Sequence, residues 1–228
     1  MNFIQSLTGM ICTQGGMDKA REYLISRGIN PDLMRYSFSA TGGNEAPFKI
    51  FSNLYPANIF VDSLYMPVLD IQEPTHIIGF DVRYLGDASF RTRFHKFKVS
   101  PDSLMMYCSK NIQDIVNDEP IIVVESIIDA LTIEQLGYTV ISPLTSLHNI
   151  KFCLFLHSIS DKIYFMYDND DTGRKALQKI MKNVSLDMDI QKCFRPIIYS
   201  GKDPNQVLMS LGSEYLENIL KMQAGELR

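Results

Sequence analysis

The hydrophobic positions follow a helical spacing at the start of the chain and a strand-like one after it. Apolar side chains recur on one face of residues 17–28, MDKAREYLISRG, which predicts a helix that ends at a glycine. A second short helix is predicted to begin in INPDLMRYSF, residues 29–38. Between 59 and 99, runs of β-branched and aromatic residues predict antiparallel strands joined by turns. Residues 100–120 predict a linking helix or helical turn that ends in a polar break.

After Pro120, apolar runs and helical segments alternate. Strands are predicted at 121–124, 138–142, 162–168 and within 191–200, and helices at 127–137, 148–159 and 171–183. Such alternation implies right-handed crossovers and a mostly parallel sheet. The predicted fold class is α/β, with an α+β N-terminal subdomain over 1–118, a parallel-sheet domain over 119–200, and closing helices over 201–228.

Acidic residues follow the predicted strands of this sheet at the points where the strands end. Glu125 comes after the first strand, Asp168 and Asp170 after the third, and Asp203 after the last. The carboxyl ends of parallel strands meet at one edge, where ligands bind, and clustered carboxylates repel each other unless a cation lies between them. Their hard oxygen atoms suit Mg²⁺ or Mn²⁺. The alternative is that each Asp only caps a helix, with Asp171 or Thr172 capping the helix at 171–183.

Composition narrows the class of protein. No apolar stretch approaches the roughly 20 residues that span a bilayer, so a soluble intracellular protein with no membrane partner is expected. The four cysteines and four histidines are dispersed without a zinc-ligand spacing, so neither zinc nor a disulfide framework is expected. The net charge of −4 argues against binding nucleic acid by bulk electrostatics.

One segment is locally basic. FRTRFHKFK, residues 90–98, sets Arg91, Arg93, Lys96 and Lys98 among phenylalanines. This density of cations is typical of a nucleic-acid-binding strand. An amphipathic strand with phenylalanine inward and cations outward, and with no ligand, fits the same pattern. The segment alone leaves both interpretations open.

The ordered set of acidic motifs resembles the Toprim superfamily and, within it, the catalytic core of DnaG-type primases. VVESIIDALTIEQLG, MYDNDDTGRKA and GKDPNQVL are similar to the three acidic motifs of bacterial and phage primases. Upstream, AREYLISRGINPDLMRYSFSA resembles the helical pair that opens that core, and LYMPVLDIQEPTHIIGFDVRYLG resembles its strands. Together these segments cover most of the chain, and its short length suits a minimal, phage-encoded form.

The resemblance implies a DNA-dependent RNA primase that joins ribonucleoside triphosphates into a short RNA on a single-stranded DNA template. Asp168, Asp170 and Asp203 would hold two or more Mg²⁺ or Mn²⁺ ions, and Glu125 would be a further ligand or an acid/base group. Asp129 and Asn205 would support these ligands. The expected nucleotide and DNA contacts are Arg83, the family's GFxxR arginine, with Arg91, Arg93, Lys96, Lys98, Arg174 and Lys202.

Two residues depart from the family's usual pattern. Ser126 stands where relatives have glycine after the glutamate, and Asn205 replaces the last aspartate of DPD. A zinc ribbon and a helicase-binding part are absent from the motifs, so a replicative helicase or a separate zinc-binding or template-recognition subunit is an expected partner. The expected location is the cytoplasm, that of the bacterial host if the protein is phage-encoded. A Toprim nuclease and a non-catalytic nucleic-acid-binding or replisome assembly subunit are the alternatives.

Overall fold

The computed structural model describes residues 14–33, 38–40, 63–70, 77–85, 94–98, 105–116, 118–144, 150–185 and 188–225. The chain divides into two compact units. One consists of Met1–Val68 and Ile77–Pro101, and the other of Leu69–His76 and Asp102–Arg228. Within the described ranges, no helix has the length and apolar character needed to cross a membrane. The division into 1–118, 119–200 and 201–228 stays a prediction.

The first unit combines one helix with short antiparallel strands. Its described elements are helix α1 (Gln14–Ser26), a 3₁₀ turn (Pro31–Leu33), and strands β1 (Phe38–Ala40), β2 (Ser63–Asp70), β3 (Ile77–Tyr84) and β4 (Phe94–Lys98). The last two residues of β2, Leu69 and Asp70, belong to the second unit. β2 lies between β1 and β3, and β4 pairs with β3. Ala20 and Leu24, four residues apart in α1, are buried on one helical face. The predicted second helix is wrong as far as it is described, because its residues form only the 3₁₀ turn and the start of β1.

The second unit alternates strands and helices. Its elements are strand β5 (Met105–Cys108), a 3₁₀ turn (Ile112–Asp114), β6 (Ile121–Val123), α2 (Ile127–Glu134), β7 (Thr139–Ser142), α3 (Ile150–Ile159), β8 (Ile163–Phe165), α4 (Asp171–Val184), α5 (Met188–Cys193), β9 (Phe194–Pro196), α6 (Pro204–Leu211) and α7 (Ser213–Ala224). The strand order is β5-β7-β6-β8-β9. β7, β6, β8 and β9 run parallel, and β5 pairs antiparallel with β7. The predicted α/β class with a mostly parallel sheet is confirmed.

Two elements differ from the sequence expectation. The segment expected as a linking helix contains β5, because its run MMYC pairs with β7 on one side and with Leu69 and Asp70 on the other. The strand expected within 191–200 is confirmed as the three-residue β9, but the helix α5 that precedes it had not been predicted. In both places a short apolar run has no clear periodicity of its own, so its tertiary partners decide its conformation.

The sheet of the second unit is covered by helices on both faces. Alternate residues of β6 point to opposite sides, so Ile121 and Val123 lie in one core and Ile122 and Val124 in the other. The first core is closed by α3, α4 and α5, and the second by α2, α6 and α7. Each fully buried isoleucine or valine stabilises the fold by about 1.5–3 kcal/mol. This two-sided packing explains why the strands are apolar throughout and turn polar only at their ends.

Candidate active site

The predicted carboxylates converge beyond the carboxyl ends of three neighbouring strands. Glu125 follows β6, Asp168 and Asp170 follow β8, and Asp203 comes after β9 and directly before α6. Glu125 Oε1 accepts a hydrogen bond of 3.1 Å from the backbone N–H of Asp168, which joins the ends of β6 and β8. The pairing of the parallel strands β6, β8 and β9 therefore brings together acids that are far apart in sequence.

Asp168 is the most perturbed acid of the group. Its burial, followed by the charges of Asp129, Glu125, Asp203 and Asp170, raises its pKa from 3.8 to about 8. Its Oδ1 is buried and accepts no hydrogen bond from any described residue. A buried carboxylate oxygen without a donor, next to four other acids, is stable as an anion only if a cation neutralises it.

Asp170 and Asp203 are also helix caps, so the capping alternative describes part of their role. Asp170 Oδ1 accepts from the N–H groups of Thr172 and Gly173, both at 2.9 Å, and Asp203 Oδ1 accepts from Gln206 N at 2.7 Å. The cap of α4 is thus Asp170, and the expectation of Asp171 or Thr172 was wrong because the helix already begins at Asp171. The backbone N–H of Gly173 is the main cause that lowers the pKa of Asp170.

Capping and metal binding do not compete at these two aspartates. In each case only Oδ1 accepts the capping bonds, and among the described residues no hydrogen bond reaches Oδ2. Capping fixes the rotamer of each side chain and leaves one oxygen for another partner. The caps therefore hold the acids in place without saturating them.

Asp129 is buried beside the acidic cluster, and both of its carboxylate oxygens accept hydrogen bonds. Ser126 caps α2, accepting from Asp129 N at 3.2 Å and donating from Oγ to Asp129 Oδ2 at 2.5 Å. Asp129 Oδ1 accepts from the backbone N–H of Asn205 at 3.1 Å. Asn205 is fully buried and donates from Nδ2 to Thr132 Oγ1 at 2.8 Å. The geometry agrees with a supporting position for Asp129 and Asn205, since their hydrogen bonds tie α2 to the start of α6.

Gly173 is the point of closest approach between α4 and the acids. A Cβ atom there would lie 2.2 Å from the carbonyl oxygen of Asp168 and 2.5 Å from Glu125 Oε1. Both separations are shorter than any van der Waals contact, so only glycine lets the first turn of α4 approach the two acids. Gly173 is therefore a site residue that the sequence analysis did not name, although it stands beside Arg174 in the motif that carried the resemblance.

Asn169 connects the two acidic loops. Its backbone N–H donates to Lys202 O at 2.7 Å, and its Nδ2 donates to Tyr199 O at 2.8 Å and Gly201 O at 2.9 Å. Gly201 has φ +125°, a conformation that disfavours side chains, so the loop between β9 and Asp203 makes a tight turn at this position. The sequence analysis did not name Asn169. Its position between Asp168 and Asp170 was the feature that could have identified it.

Two of the predicted cations lie beside the acids. Arg174 is half-exposed, pairing with Asp171 Oδ1 at 2.7 Å and donating to Asn169 O at 2.5 Å. Lys202 is exposed, and its charge helps to lower the pKa of Asp170. Both side chains therefore present positive charge at the rim of an acidic cluster.

The remaining predicted cations belong to the first unit. The Arg83 guanidinium in β3 lies 5.3 Å from the centre of the Tyr23 ring. Lys96 and Lys98 occupy positions in β4, paired in register with Asp81 and Gly79 of β3. Arg91 and Arg93 lie outside the described residues. The choice between a nucleic-acid-binding strand and a plain amphipathic strand for residues 90–98 thus stays open.

Comparisons with known proteins agree with the fold and with the motifs. A family model described as Toprim-like matches residues 122–208. The DNA primase of Aquifex aeolicus is 26% identical over 235 residues, which cover 92% of this chain and 46% of that protein. The DNA primase of Borreliella burgdorferi is 25% identical over 203 residues, which cover 87% of this chain and 36% of that protein. The chain thus spans less than half the length of these curated relatives.

Two solved structures with a similar fold are primase catalytic cores. A structure of the DnaG catalytic core matches with a TM-score of 0.73 at 18% identity, covering 96% of this chain and 78% of that one. The catalytic core of the Escherichia coli primase matches with a TM-score of 0.70 at 20% identity, covering 92% and 74% of the two chains. At these identities the match establishes the fold.

Proposed function

We propose that this chain is a DNA-dependent RNA primase, because residues 122–208 match a Toprim-like family model and the fold is that of the DnaG catalytic core. It would join ribonucleoside triphosphates into a short RNA on a single-stranded DNA template. The observation that carries this proposal is the acidic cluster, in which Asp168 has a pKa of about 8 and a buried oxygen without a donor. Such a cluster is costly to keep unless the protein uses cations there.

The donor set fits Mg²⁺ or Mn²⁺. Glu125, Asp168, Asp170 and Asp203 offer carboxylate oxygens, the ligands that these hard cations prefer. Two or more ions would activate the attacking 3′-hydroxyl and neutralise the triphosphate and the leaving pyrophosphate. The chain's own contribution is orientation: the helix caps fix Asp170 and Asp203, and Asp168 N positions Glu125. Glu125 would be a further ligand or the group that accepts the hydroxyl proton.

The cations near this cluster would contact the negatively charged substrates. Arg174 and Lys202 stand at its rim and suit the phosphates of an incoming nucleotide. In the first unit, Arg83, Arg91, Arg93, Lys96 and Lys98 are the proposed contacts to template and nucleotide. A DnaG primase catalytic domain of the same fold, with a TM-score of 0.72 and 17% identity, has been solved bound to single-stranded DNA, which supports this proposal.

The proposed partners follow from the weak charge of the chain. A net charge of −4 gives little electrostatic affinity for DNA, so a second protein would deliver the template. A replicative helicase or a zinc-binding subunit fits this need. The similar Aquifex aeolicus primase was solved with zinc-binding and RNA polymerase domains, and the bacteriophage T7 fragment comes from a primase-helicase protein. We propose the cytoplasm, where replication takes place in bacteria, and a phage-encoded origin.

A template-dependent synthesis assay tests the proposal. The protein is incubated with labelled ribonucleotides, Mg²⁺ or Mn²⁺ and single-stranded DNA of varied sequence, alone and with a replicative helicase. We expect short RNA products that require template and metal, and that fall by at least about a hundredfold in Asp168→Asn, because a direct metal ligand is lost. Asp114→Asn makes the same change in an exposed 3₁₀ turn and should leave synthesis unchanged.

The same reactions separate the alternatives. Cleavage of the DNA without nucleotides, lost in Asp168→Asn, would identify a nuclease and refute the primase proposal. If neither synthesis nor cleavage occurs under any condition and added Mg²⁺ leaves the melting temperature unchanged, the chain is a non-catalytic subunit.

A further inference from the structure

Three potential metal ligands meet at the opposite edge of the sheet from the acidic cluster. His157 lies near the end of α3, Asp161 in the turn before β8, and Cys193 at the end of α5, directly before β9. Their ligand atoms, Nδ1, a carboxylate oxygen and Sγ, all lie within 4.8 Å of one another. The group is therefore at the amino ends of β8 and β9, whereas Asp168 and Asp203 follow the carboxyl ends of the same two strands.

The separations are close to those of ligands on one ion, and the Cys193 thiol also donates long hydrogen bonds to Asp161 Oδ1 at 3.7 Å and to Asp189 O at 3.4 Å. Asp161 Oδ1 is 3.7 Å from His157 Nδ1, too far for a nitrogen–oxygen hydrogen bond, and 3.7 Å from Cys193 Sγ. Ligand atoms on one tetrahedral zinc, with bonds of about 2.0–2.3 Å, lie roughly 3.3–3.6 Å apart. The two separations from Asp161 are thus within a few tenths of an ångström of those on one zinc ion, and the third pair lies within 4.8 Å.

The surroundings of His157 and Asp161 also favour binding of an ion. His157 Nδ1 is buried and makes no hydrogen bond with any described residue. No lysine or arginine in the described part of the chain lies within ion-pair distance of Asp161, although Lys162 beside it pairs with Asp118. An acceptor nitrogen and a carboxylate are therefore both available on the same side of a thiol.

The cysteine decides which class of ligand this group would take. Burial, followed by the charge of Asp161, raises the pKa of the Cys193 thiol, which is the opposite of what an activated nucleophile needs. Thiolate and imidazole ligands select zinc over magnesium or calcium, and a bound ion replaces the thiol proton, which is released to water.

We propose that His157, Asp161 and Cys193 bind one Zn²⁺ ion, with water in the fourth position. The ion would join the end of α3 to the end of α5 and so fasten the amino ends of β8 and β9 together. The sequence analysis expected no zinc because the ligand spacing matches no zinc motif: Cys193 follows Asp161 by 32 residues and belongs to another helix. This site is independent of the proposed primase activity.

Cobalt replaces zinc as an optical probe in the test. The full chain, freed of metal and reduced, is titrated with Co²⁺ and then with Zn²⁺. We expect tetrahedral visible bands and a thiolate-to-cobalt charge-transfer band that saturate at one equivalent and disappear when zinc displaces cobalt. Zn²⁺ should also raise the melting temperature. Removing even a residue that only supports a ligand costs about 10–100-fold in metal affinity, so His157→Gln should weaken binding at least about tenfold.

Matched variants make the outcome decisive. Cys193→Ser should abolish the charge-transfer band, whereas Cys108→Ser, the same change at a half-buried cysteine of β5, should retain it. Asp168→Asn should also retain it, which separates this site from the acidic cluster. The proposal is overturned if the band is absent in the wild-type chain, if it persists in Cys193→Ser, or if it disappears in Cys108→Ser.

Discussion

Replacing Asp168 with asparagine should stabilise the metal-free protein, although it removes a proposed metal ligand. The pKa of this acid rises from 3.8 to about 8 in the fold, mainly through burial. Each pH unit of such a difference corresponds to about 1.4 kcal/mol, so a cost of about 6 kcal/mol is the upper bound above pH 8. Neighbouring carboxylates share that cost and solvent screens it, so we expect a measured gain of roughly 1–3 kcal/mol.

The gain should depend on pH in a defined direction. Below about pH 4 Asp168 is protonated in both the folded and the unfolded chain and costs nothing. Between about pH 4 and pH 8 the unfolded chain loses the proton and the folded chain keeps it, so the free energy of unfolding falls as the pH rises. Above pH 8 the cost is constant. The wild-type protein should therefore lose stability between pH 5 and pH 8, and Asp168→Asn should lose less.

Urea unfolding in EDTA at pH 5 and pH 8 measures the effect. Wild type, Asp168→Asn and the exposed control Asp114→Asn are compared, and each is then repeated with Mg²⁺ at pH 8. An ion at 100 times its dissociation constant adds about 2.7 kcal/mol, which should stabilise the wild type and Asp114→Asn but not Asp168→Asn. The reasoning is refuted if Asp168→Asn is no more stable than wild type at pH 8 in EDTA, or if the difference between them is the same at both pH values.

Three further substitutions test the geometry around the acids. In an ordinary helix, Gly173→Ala would raise the free energy of unfolding by about 1 kcal/mol. Here the new Cβ would lie 2.5 Å from Glu125 Oε1, so we expect the free energy of unfolding to fall by about 1–2 kcal/mol. Urea unfolding measures the change, and Lys179→Ala in α4 is the control. Greater stability in Gly173→Ala would contradict the close approach. Asn169→Ala removes two hydrogen bonds to loop carbonyls, so the free energy of unfolding should fall by about 1–3 kcal/mol. It should also raise the Mg²⁺ concentration needed for primer synthesis. An unchanged Mg²⁺ requirement would show that Asn169 does not support the site. Asn205→Asp places a second charge beside Asp129 in a fully buried position. The free energy of unfolding in EDTA should fall by about 2–4 kcal/mol at pH 8 and by less at pH 5. An effect that is the same at both pH values would show that charge is not the cause.

The parallel sheet was predictable because its strands are buried on both faces. A run such as IIVV, followed by a helical pattern and a glycine, has few other interpretations, and the alternation of such units implies parallel pairing. β5 and α5 were not predictable in the same way. Each is a short segment whose conformation depends on a partner that is distant in sequence, as β5 pairs with β2 and β7.

The acids of the site could be located from the sequence, but the different hydrogen bonding of each acid could not be predicted from it. Glu125, Asp168, Asp170 and Asp203 all follow strands, and that order was enough to predict that they converge. Only the structure distinguishes Asp168, whose Oδ1 has no donor among the described residues, from Asp170, which accepts two backbone bonds. The supporting residues Asn169 and Gly173 act through contacts with loops that the sequence does not place.

The two departures from the family pattern have a common structural explanation. Ser126 and Asn205 both bond to Asp129, the first through its hydroxyl and the second through its backbone N–H. Asn205 also donates its amide to Thr132, so a position that carries a charge in the usual DPD motif is here a neutral link between α2 and α6. An extra carboxylate at this buried position would add to the repulsion that already raises the pKa of Asp168. Ser126 and Asn205 therefore hold Asp129 beside the acidic cluster without adding a charge.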